Sequence, residues 1–148
     1  MSWWKLVRGK VRTYGGLSGR SRFCFFFALF ALPPVSLSLK VLGLKRTQAL
    51  LNSLPIFPLE DGALPTTAEM VKVAARYTRT SCLPQALVLK ALLRCQGVES
   101  LLRIGVRREG EQLEAHAWVE VQGQPLNQEA EVYQEYQVFA PLTGKPHL

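Results

Sequence analysis

Cys82 stands at the start of a strongly apolar segment, 34 residues before His116. Ser81 or Thr80 is a suitable cap for a helix that begins at this point. A thiol in the first turn of a helix lies near the positive end of the helix dipole and near free backbone amides, and both favour the thiolate. The commonest use of a cysteine is packing in the core. Its position nevertheless makes Cys82 the candidate nucleophile.

His116 is the candidate base, since the other histidine, His147, is one residue from the C-terminus. A cysteine at a helix start followed by a histidine on a later strand is the order found in papain-like and transglutaminase-like enzymes. In that chemistry the imidazole takes the thiol proton, the thiolate attacks a carbonyl carbon, and the imidazolium protonates the leaving amine. A lone histidine on a strand is more often a structural group, so its placement beside Cys82 is the decisive point.

A third group must hold the imidazole in position. After the Gln122-Gly123 turn the candidates are Asn127, Gln128 and Glu129, because a hairpin at this turn returns the chain beside the His116 strand. The residue pattern alone leaves these three candidates open.

The segment from Cys82 to Cys95 contains few polar residues, which predicts a helix buried on nearly all sides and stopped by Gly97. Pro84 fits its first turn, where backbone amides have no partner within the helix. An amphipathic helix is predicted before it, with Thr66 and Glu69 forming a capping box at its start. The central helix thus carries the candidate nucleophile.

The hydrophobic period changes to two after Gly97, which predicts strands over 101–106, 113–121 and 124–126, and a further one over 133–139. In the second strand one face is apolar and consists of Leu113, Ala115, Ala117, Val119 and Val121. The other face is polar and aromatic and consists of Glu114, His116, Trp118 and Glu120. Helices followed by an antiparallel sheet indicate an α+β fold.

The charge is divided unevenly along the 148 residues, whose net charge is +7. Residues 1–50 carry nine Lys or Arg and no acid, and the first acid is Glu60. We therefore divide the chain into a basic flexible tail (1–22), an N-terminal helical region with a Pro-rich linker (23–65) and a core domain (66–148). A basic region can meet nucleic acid, an anionic membrane or an acidic partner.

The apolar run at Phe23–Leu32 follows two arginines, which is the charge order of a signal peptide. Only 17 residues separate Arg22 from Lys40, and Pro33 and Pro34 interrupt them, which is short for a membrane span of about 20 residues. We therefore expect a pair of helices broken at the prolines that packs on its own domain or on a partner. On this interpretation we expect the protein to be cytoplasmic. Contact of this segment with a membrane is the alternative that stays open.

Several classes of site are disfavoured by the residue patterns. Three cysteines without CxxC spacing favour reduced thiols over a disulfide framework. The histidines and carboxylates show no metal-ligand spacing, and the glycines match no phosphate-binding loop. No nucleic-acid-reading motif accompanies the basic tail. We expect no metal, no cofactor and no specific nucleic acid, and we interpret Cys24 and Cys95 as packing residues.

The segment 81–128 resembles a known family, the transglutaminase-like leader peptidases of lasso-peptide biosynthesis, which form the protease half of the split B protein. The likeness lies in Cys82-Leu83 before a Leu-rich helix, in Ile104-Gly105-Val106-Arg107, in His116-Ala117-Trp118-Val119-Glu120, and in Gly123 with Pro125-Leu126-Asn127. It extends more weakly over residues 25–142. Where the family usually has an acid this chain has Gln128, and where it often has Arg-Ser this chain has Gln85-Ala86.

The resemblance implies a papain/transglutaminase-like core and a cysteine protease that removes the leader from a ribosomally made precursor. It implies Cys82 as nucleophile, His116 as base and Gln128 as the third catalytic residue, with Asn127 as the alternative. It also implies three partners: the precursor leader peptide, a small leader-binding RiPP recognition element, and an ATP-dependent lasso cyclase. Two alternatives remain open. One is a transglutaminase-like acyl transferase or amidase that acts on another substrate, and the other is a non-catalytic scaffold of the same fold.

Overall fold

The computed structural model describes residues 19–55, 64–128 and 131–139. The helices in these ranges are α1 (Gly19–Asn52), α2 (Leu64–Thr78), α3 (Cys82–Cys95) and α4 (Val132–Glu135). The strands are β1 (Leu101–Glu109), β2 (Gln112–Val121), β3 (Gln124–Pro125) and β4 (Gln137–Val138). Three long helices precede an antiparallel sheet, so the predicted α+β fold with N-terminal helices is confirmed.

Helix α1 begins at Gly19, inside the range that we assigned to a flexible tail, and it runs through Pro33 and Pro34. The break predicted at the prolines is wrong. The helix bends instead at Gly43, whose φ of 81° and ψ of 174° suit a residue without a Cβ. Thr47 fastens this bend: its hydroxyl donates to the Gly43 carbonyl at 2.8 Å and lies 2.8 Å from the Ser38 hydroxyl.

One face of α1 belongs to the central core. Its buried apolar residues pack with α2 and α3 and are Cys24, Ala28, Leu32 and Val35. By length and composition α1 could cross a membrane, since its most apolar stretch has a mean hydropathy of 1.9 and is 17% buried. Core helices and signal sequences near an N-terminus share this property, so the observation alone is weak evidence for a span.

Helix α2 starts at Leu64, two residues before the predicted cap. Thr66 and Glu69 therefore lie inside the helix, and the capping box is wrong as the start signal. The neighbouring Thr67 has a different role: the Gln96 side chain, just beyond α3, donates to its hydroxyl at 2.9 Å in the core. Gly97 ends α3 as predicted, with φ 74° and the Val98 amide bonded back to the Leu93 carbonyl at 2.9 Å.

The four strands form one sheet in the order β3-β2-β1-β4. Strands β1 and β2 pair along their full lengths, from Leu101 opposite Glu120 to Glu109 opposite Gln112. The six residues 107–112, which lie between the first two predicted strands, are therefore mostly strand, since Gly110 and Glu111 alone join β1 and β2. Cross-strand ion pairs hold the charged residues in the ladder, where polarity alone had indicated a loop.

The second hairpin forms at the predicted place. Gln122 and Gly123 have φ values of 51° and 78°, the two positive values of a tight hairpin turn. The strand predicted over 133–139 is correct only at its end: β4 pairs with β1 at Gly105 and Val106, whereas the preceding residues form α4.

The sheet is covered on both faces. Toward α3 it presents Leu102, Ala117 and Val119, which join the main core. On the opposite face, Trp118 packs with Val132 of α4 and with Tyr136 in a second, smaller cluster.

Candidate active site

A tight turn between α2 and α3 places Cys82. Arg79 adopts a φ of 51°, and the Thr80 amide bonds back to the Ala75 carbonyl at 3.1 Å, which ends α2. The Gln85 side chain then donates to the Thr80 carbonyl at 2.7 Å. Because this bond ties the first turn of α3 to the end of α2, the start of α3 is fixed in direction, and Cys82 is its first residue.

Cys82 is half-buried and approaches the open edge of β2. Ser81 is the helix cap by position, with extended φ and ψ, but its side chain makes no capping hydrogen bond. Val119 directs its amide and its carbonyl to the β3 side of β2. Since alternate residues of a strand direct these groups to the same side, Ala117 does so as well. The pKa of Cys82 is lowered mainly by the hydrogen bond with His116, and a backbone hydrogen bond with Ala117 lowers it further, so the sulfur lies near this edge.

His116 lies on the opposite face of β2 from the main core, between aromatic rings. Its ring centroid is 6.0 Å from that of Trp118, with the planes 26° apart, and 5.3 Å from that of Tyr136. The Arg107 guanidinium stands 5.0 Å from the centroid of the Tyr136 ring on the same side. These contacts restrict the imidazole to a few orientations.

Gly105 faces His116 across the β1–β2 ladder. A Cβ at this position would lie 2.9 Å from the Tyr136 Cβ, 3.0 Å from the outer edge of the Trp118 ring and 3.2 Å from the Gln137 carbonyl oxygen. No side chain fits without displacing these atoms, so Gly105 provides the space in which the rings close around His116.

The thiol and the imidazole shift each other's pKa in opposite directions. The hydrogen bond with His116 is the main cause that lowers the pKa of Cys82, against burial, which raises it. The same bond is the main cause that raises the pKa of His116, against burial, which lowers it. Each shift favours the charged form of its own group, so the contact biases the pair toward thiolate and imidazolium.

The structure distinguishes two of the three candidates for the third position. The pKa of His116 is raised mainly by the hydrogen bond with Cys82, and a side-chain hydrogen bond with Gln128 raises it further. The Asn127 Oδ1 instead accepts the Val119 amide at 3.0 Å, so Asn127 extends the β2 ladder and is committed to the backbone. Glu129 lies outside the described residues. The arrangement brings together Cys82, His116 and Gln128.

A polar network anchors the far face of β2. The Arg103 guanidinium makes two hydrogen bonds to the Glu120 carboxylate, at 3.0 and 3.2 Å, and the Tyr133 hydroxyl donates to the same carboxylate at 2.6 Å. Burial raises the pKa of Glu120, but these bonds together outweigh it and leave that pKa below its ordinary value. The network links β1, β2 and α4, which surround the histidine.

A second network lies at the turn end of the same face. Arg107 pairs with Glu114 across the ladder at 2.7 Å and with Glu135 of α4 at 3.5 Å. This exposed cluster holds α4 against the sheet, and with it Tyr136.

A depression of about 50 Å³ adjoins the site between α2, α3 and the chain after β3. The residues that line it are Ala68, Val71, Lys72, Gln85, Leu89, Asn127 and Gln128. Gln128 therefore borders this depression, whereas Cys82 and His116 do not line it.

The other two cysteines are buried and free, as the packing interpretation predicts. Cys24 belongs to the main core, where burial raises the pKa of its thiol. Over the part of the chain that the structure describes, no group of three or more His, Cys, Asp or Glu residues could hold a metal ion.

Three features of the site were missed from sequence: Gly105, Tyr136 and the backbone amide of Ala117. Gly105 interrupts an otherwise β-forming run, which is a recognisable sign of close approach by another group. The contact of Tyr136 with His116 depends on how α4 folds back over the sheet. The availability of the Ala117 amide depends on where β3 ends. No local pattern in the sequence encodes either of these.

The comparisons with known proteins agree with this geometry. A family model described as the transglutaminase-like superfamily matches residues 30–141, from within α1 to beyond β4. No curated protein and no solved structure matches the chain. The match covers most of the sequence and includes the helix that bears Cys82, the strand that bears His116 and the position of Gln128, and the chain therefore belongs to the transglutaminase-like superfamily.

Proposed function

We propose that this protein is a cysteine peptidase that removes the leader from a ribosomally made precursor peptide of the lasso class. The observation that carries the catalytic part is the reciprocal pairing of Cys82 and His116, in which each lowers the free energy of the other's charged form. Gln128 has the positioning role, because its side chain bonds to the imidazole.

The proposed reaction has two steps. Cys82 gives its proton to His116, and its thiolate attacks the carbonyl carbon of the scissile amide. The C–N bond breaks as the imidazolium protonates the leaving amine, and a thioester remains on the sulfur. His116 then takes a proton from water, the hydroxide attacks the thioester, the C–S bond breaks and the carboxylic acid leaves. One water is consumed for each amide bond cleaved.

One feature of the surface favours a peptide as substrate. Strand β3 pairs with β2 only at Glu120 and Val121, so the edge of β2 beyond Ala117 has no strand partner among the described residues. An extended peptide can pair with such an edge and so lie beside the thiol.

The assignment to lasso-peptide biosynthesis rests on the resemblance of the HAWVE segment and its spacing from Cys82. On this proposal the partners are the precursor leader peptide, a small leader-binding recognition-element protein, and an ATP-dependent cyclase that receives the core peptide. Gln128 in place of the usual acid is compatible with the mechanism, since a neutral amide can also orient an imidazole.

Acyl transfer is the second candidate, and membership of the transglutaminase-like superfamily favours it. A thioester can be resolved by an amine as well as by water. Incubation of precursor, recognition-element protein and this protein with a small primary amine separates the two, because transfer adds the mass of the amine, less one water, to the acid fragment.

Alkylation of the three thiols tests the catalytic pair without any substrate. With iodoacetamide we expect Cys82 to react at pH values well below about 8.5, the ordinary thiol pKa, and much faster than the two buried cysteines. His116→Ala should move the pH midpoint of Cys82 upward. An unshifted midpoint in this variant would contradict the pairing.

Cleavage of the precursor tests the function. Cys82→Ala should abolish release of the leader, whereas the matched variant Cys95→Ala should retain it if the protein remains folded. Cleavage that survives in Cys82→Ala would overturn the enzyme assignment. If Cys82 of the wild type is alkylated as expected but the wild type does not cleave the precursor, the substrate assignment is overturned. The assignment of the cysteine–histidine pair would then still stand.

A further inference from the structure

The outer face of α1, opposite the core, carries large apolar side chains that are exposed along its length. The exposed fractions are 44% for Phe23, 52% for Phe26, 76% for Phe30, 62% for Leu37 and 71% for Val41. Their spacing of three, four, seven and four residues keeps them on one side of a helix. We call these five residues the outer stripe. Contiguous exposed patches of this kind mark interaction sites in soluble proteins.

The charges around the outer stripe have one sign. Lys40, Lys45 and Arg46 are exposed at its C-terminal end, and the sequence has no acid before Glu60. A second copy of this chain would bring like charges together at the same face, which disfavours self-association. An apolar helix face bordered by lysine and arginine suits a surface that is apolar inside and anionic at its rim.

The inner face of α1 limits how the helix can meet such a surface. Cys24, Ala28 and Leu32 are at most 2% exposed and are packed against α2 and α3. A helix that crossed a bilayer would have to withdraw these residues from the core. A helix that lies along the bilayer keeps them in place and embeds only the outer stripe, which extends from Phe23 to Val41 over roughly 27 Å at 1.5 Å per residue.

We propose that the outer stripe binds the surface of a bilayer containing anionic phospholipid, with α1 parallel to the membrane plane and the core domain intact above it. The apolar side chains enter the acyl boundary, and the basic residues contact the headgroups. This inference is independent of the proposed catalytic function, because neither Cys82 nor His116 belongs to the outer stripe.

Vesicle co-sedimentation of the full chain tests the proposal. Vesicles of equal parts phosphatidylglycerol and phosphatidylcholine should bind the protein, and pure phosphatidylcholine should bind it at least tenfold more weakly. Phe26→Ser with Phe30→Ser should reduce binding to the anionic vesicles at least tenfold. Lys40→Gln with Lys45→Gln and Arg46→Gln should reduce it about tenfold or more and make it less sensitive to salt.

The matched control is Leu113→Ser, which removes a leucine that is 74% exposed on β2, away from α1. It should bind as the wild type does, and circular dichroism should show that all variants keep their helix content. Failure of the wild type to bind anionic vesicles would overturn the proposal. Binding of the Phe26→Ser, Phe30→Ser variant that equals wild-type binding would also overturn it. A wild-type protein that does not bind vesicles, but forms a dimer that these two substitutions dissociate, would overturn it as well.

Discussion

The two faces of β2 are stabilised in different ways. Toward α3 the strand presents Ala117 and Val119, which are packed in the main core among aliphatic side chains. Toward α4 it presents His116, Trp118 and Glu120, which are held by ring contacts and by directed hydrogen bonds. The first face is stabilised by burial of apolar area, which depends little on the orientation of the side chains. The second face is stabilised by directional contacts, which fix the orientation of each side chain.

This difference shows where the geometry of the site originates. Aliphatic packing holds α3 against the sheet and so sets the distance between Cys82 and the strand. The aromatic and ionic face sets the orientation of the imidazole. We therefore expect changes on the α3 face to alter mainly stability, and changes on the α4 face to alter both stability and the reactivity of the thiol.

Trp118→Ala should have the largest effect, because Trp118 is fully buried and also contacts His116. We expect a loss of about 3–5 kcal/mol in the free energy of unfolding, measured in urea. The alkylation rate of Cys82 at mildly acidic pH should fall as well. Trp118→Phe provides a folded comparison if the alanine variant does not fold. A normal rate in a folded, destabilised variant would show that the tryptophan does not orient His116.

Leu102→Ala tests the opposite face. Leu102 is 1% exposed and packs toward α3, so its truncation should lower the free energy of unfolding by about 2–5 kcal/mol. The alkylation rate of Cys82 in the folded protein should not change. A change in that rate would mean that the two faces are not independent.

Glu120→Gln should cost about 1.5–3 kcal/mol, the range for hydrogen bonds to a charged group, because Arg103 loses its carboxylate partner. The pKa of Glu120 in the folded protein is lowered, so its contribution is complete above the ordinary glutamate pKa of about 4.3 and is lost as pH falls through the folded value. The difference in stability between wild type and variant should therefore shrink in acid. The exposed Glu99→Gln is the control, and a difference that persists at low pH would contradict the assignment.

Gln128→Ala should have the smallest effect. Loss of the hydrogen bond between this exposed side chain and the imidazole should lower the pKa of His116 and slow Cys82 alkylation by less than about fivefold. Gln124→Ala, an exposed glutamine on β3, serves as the control. Gln128→Glu should instead raise the pKa of His116 above that of the wild type. An unchanged pKa in both Gln128 variants would exclude it as the third residue.

The sequence was sufficient to predict the parts of the fold that depend on local pattern. The apolar run from Cys82 to Cys95 identified the central helix, and the Gln122-Gly123 pair identified the hairpin that returns Gln128 to the strand. The pairing of Cys82 with His116 followed from these two elements and from the order of the residues.

The errors arose where tertiary contacts overrode local preference. Two prolines inside α1 predicted a break, yet the bend forms at Gly43, where the Thr47 hydroxyl meets the carbonyl freed by the kink. The charged residues at the first hairpin predicted a loop, yet Arg107 and Glu114 pair across the ladder. In the second case the deciding partner lies on the other strand of the hairpin, so the pattern of neither strand alone contains the information.

Gly105 has a consequence for engineering this protein. A glycine in mid-strand is normally a good target for stabilisation, because alanine or valine improves strand propensity and restricts the unfolded chain. Here an added methyl group would push on Tyr136, Trp118 and the backbone of β4 together. A library selected for thermal stability should therefore reject every replacement at this position, and a search for more durable variants can leave it out from the start.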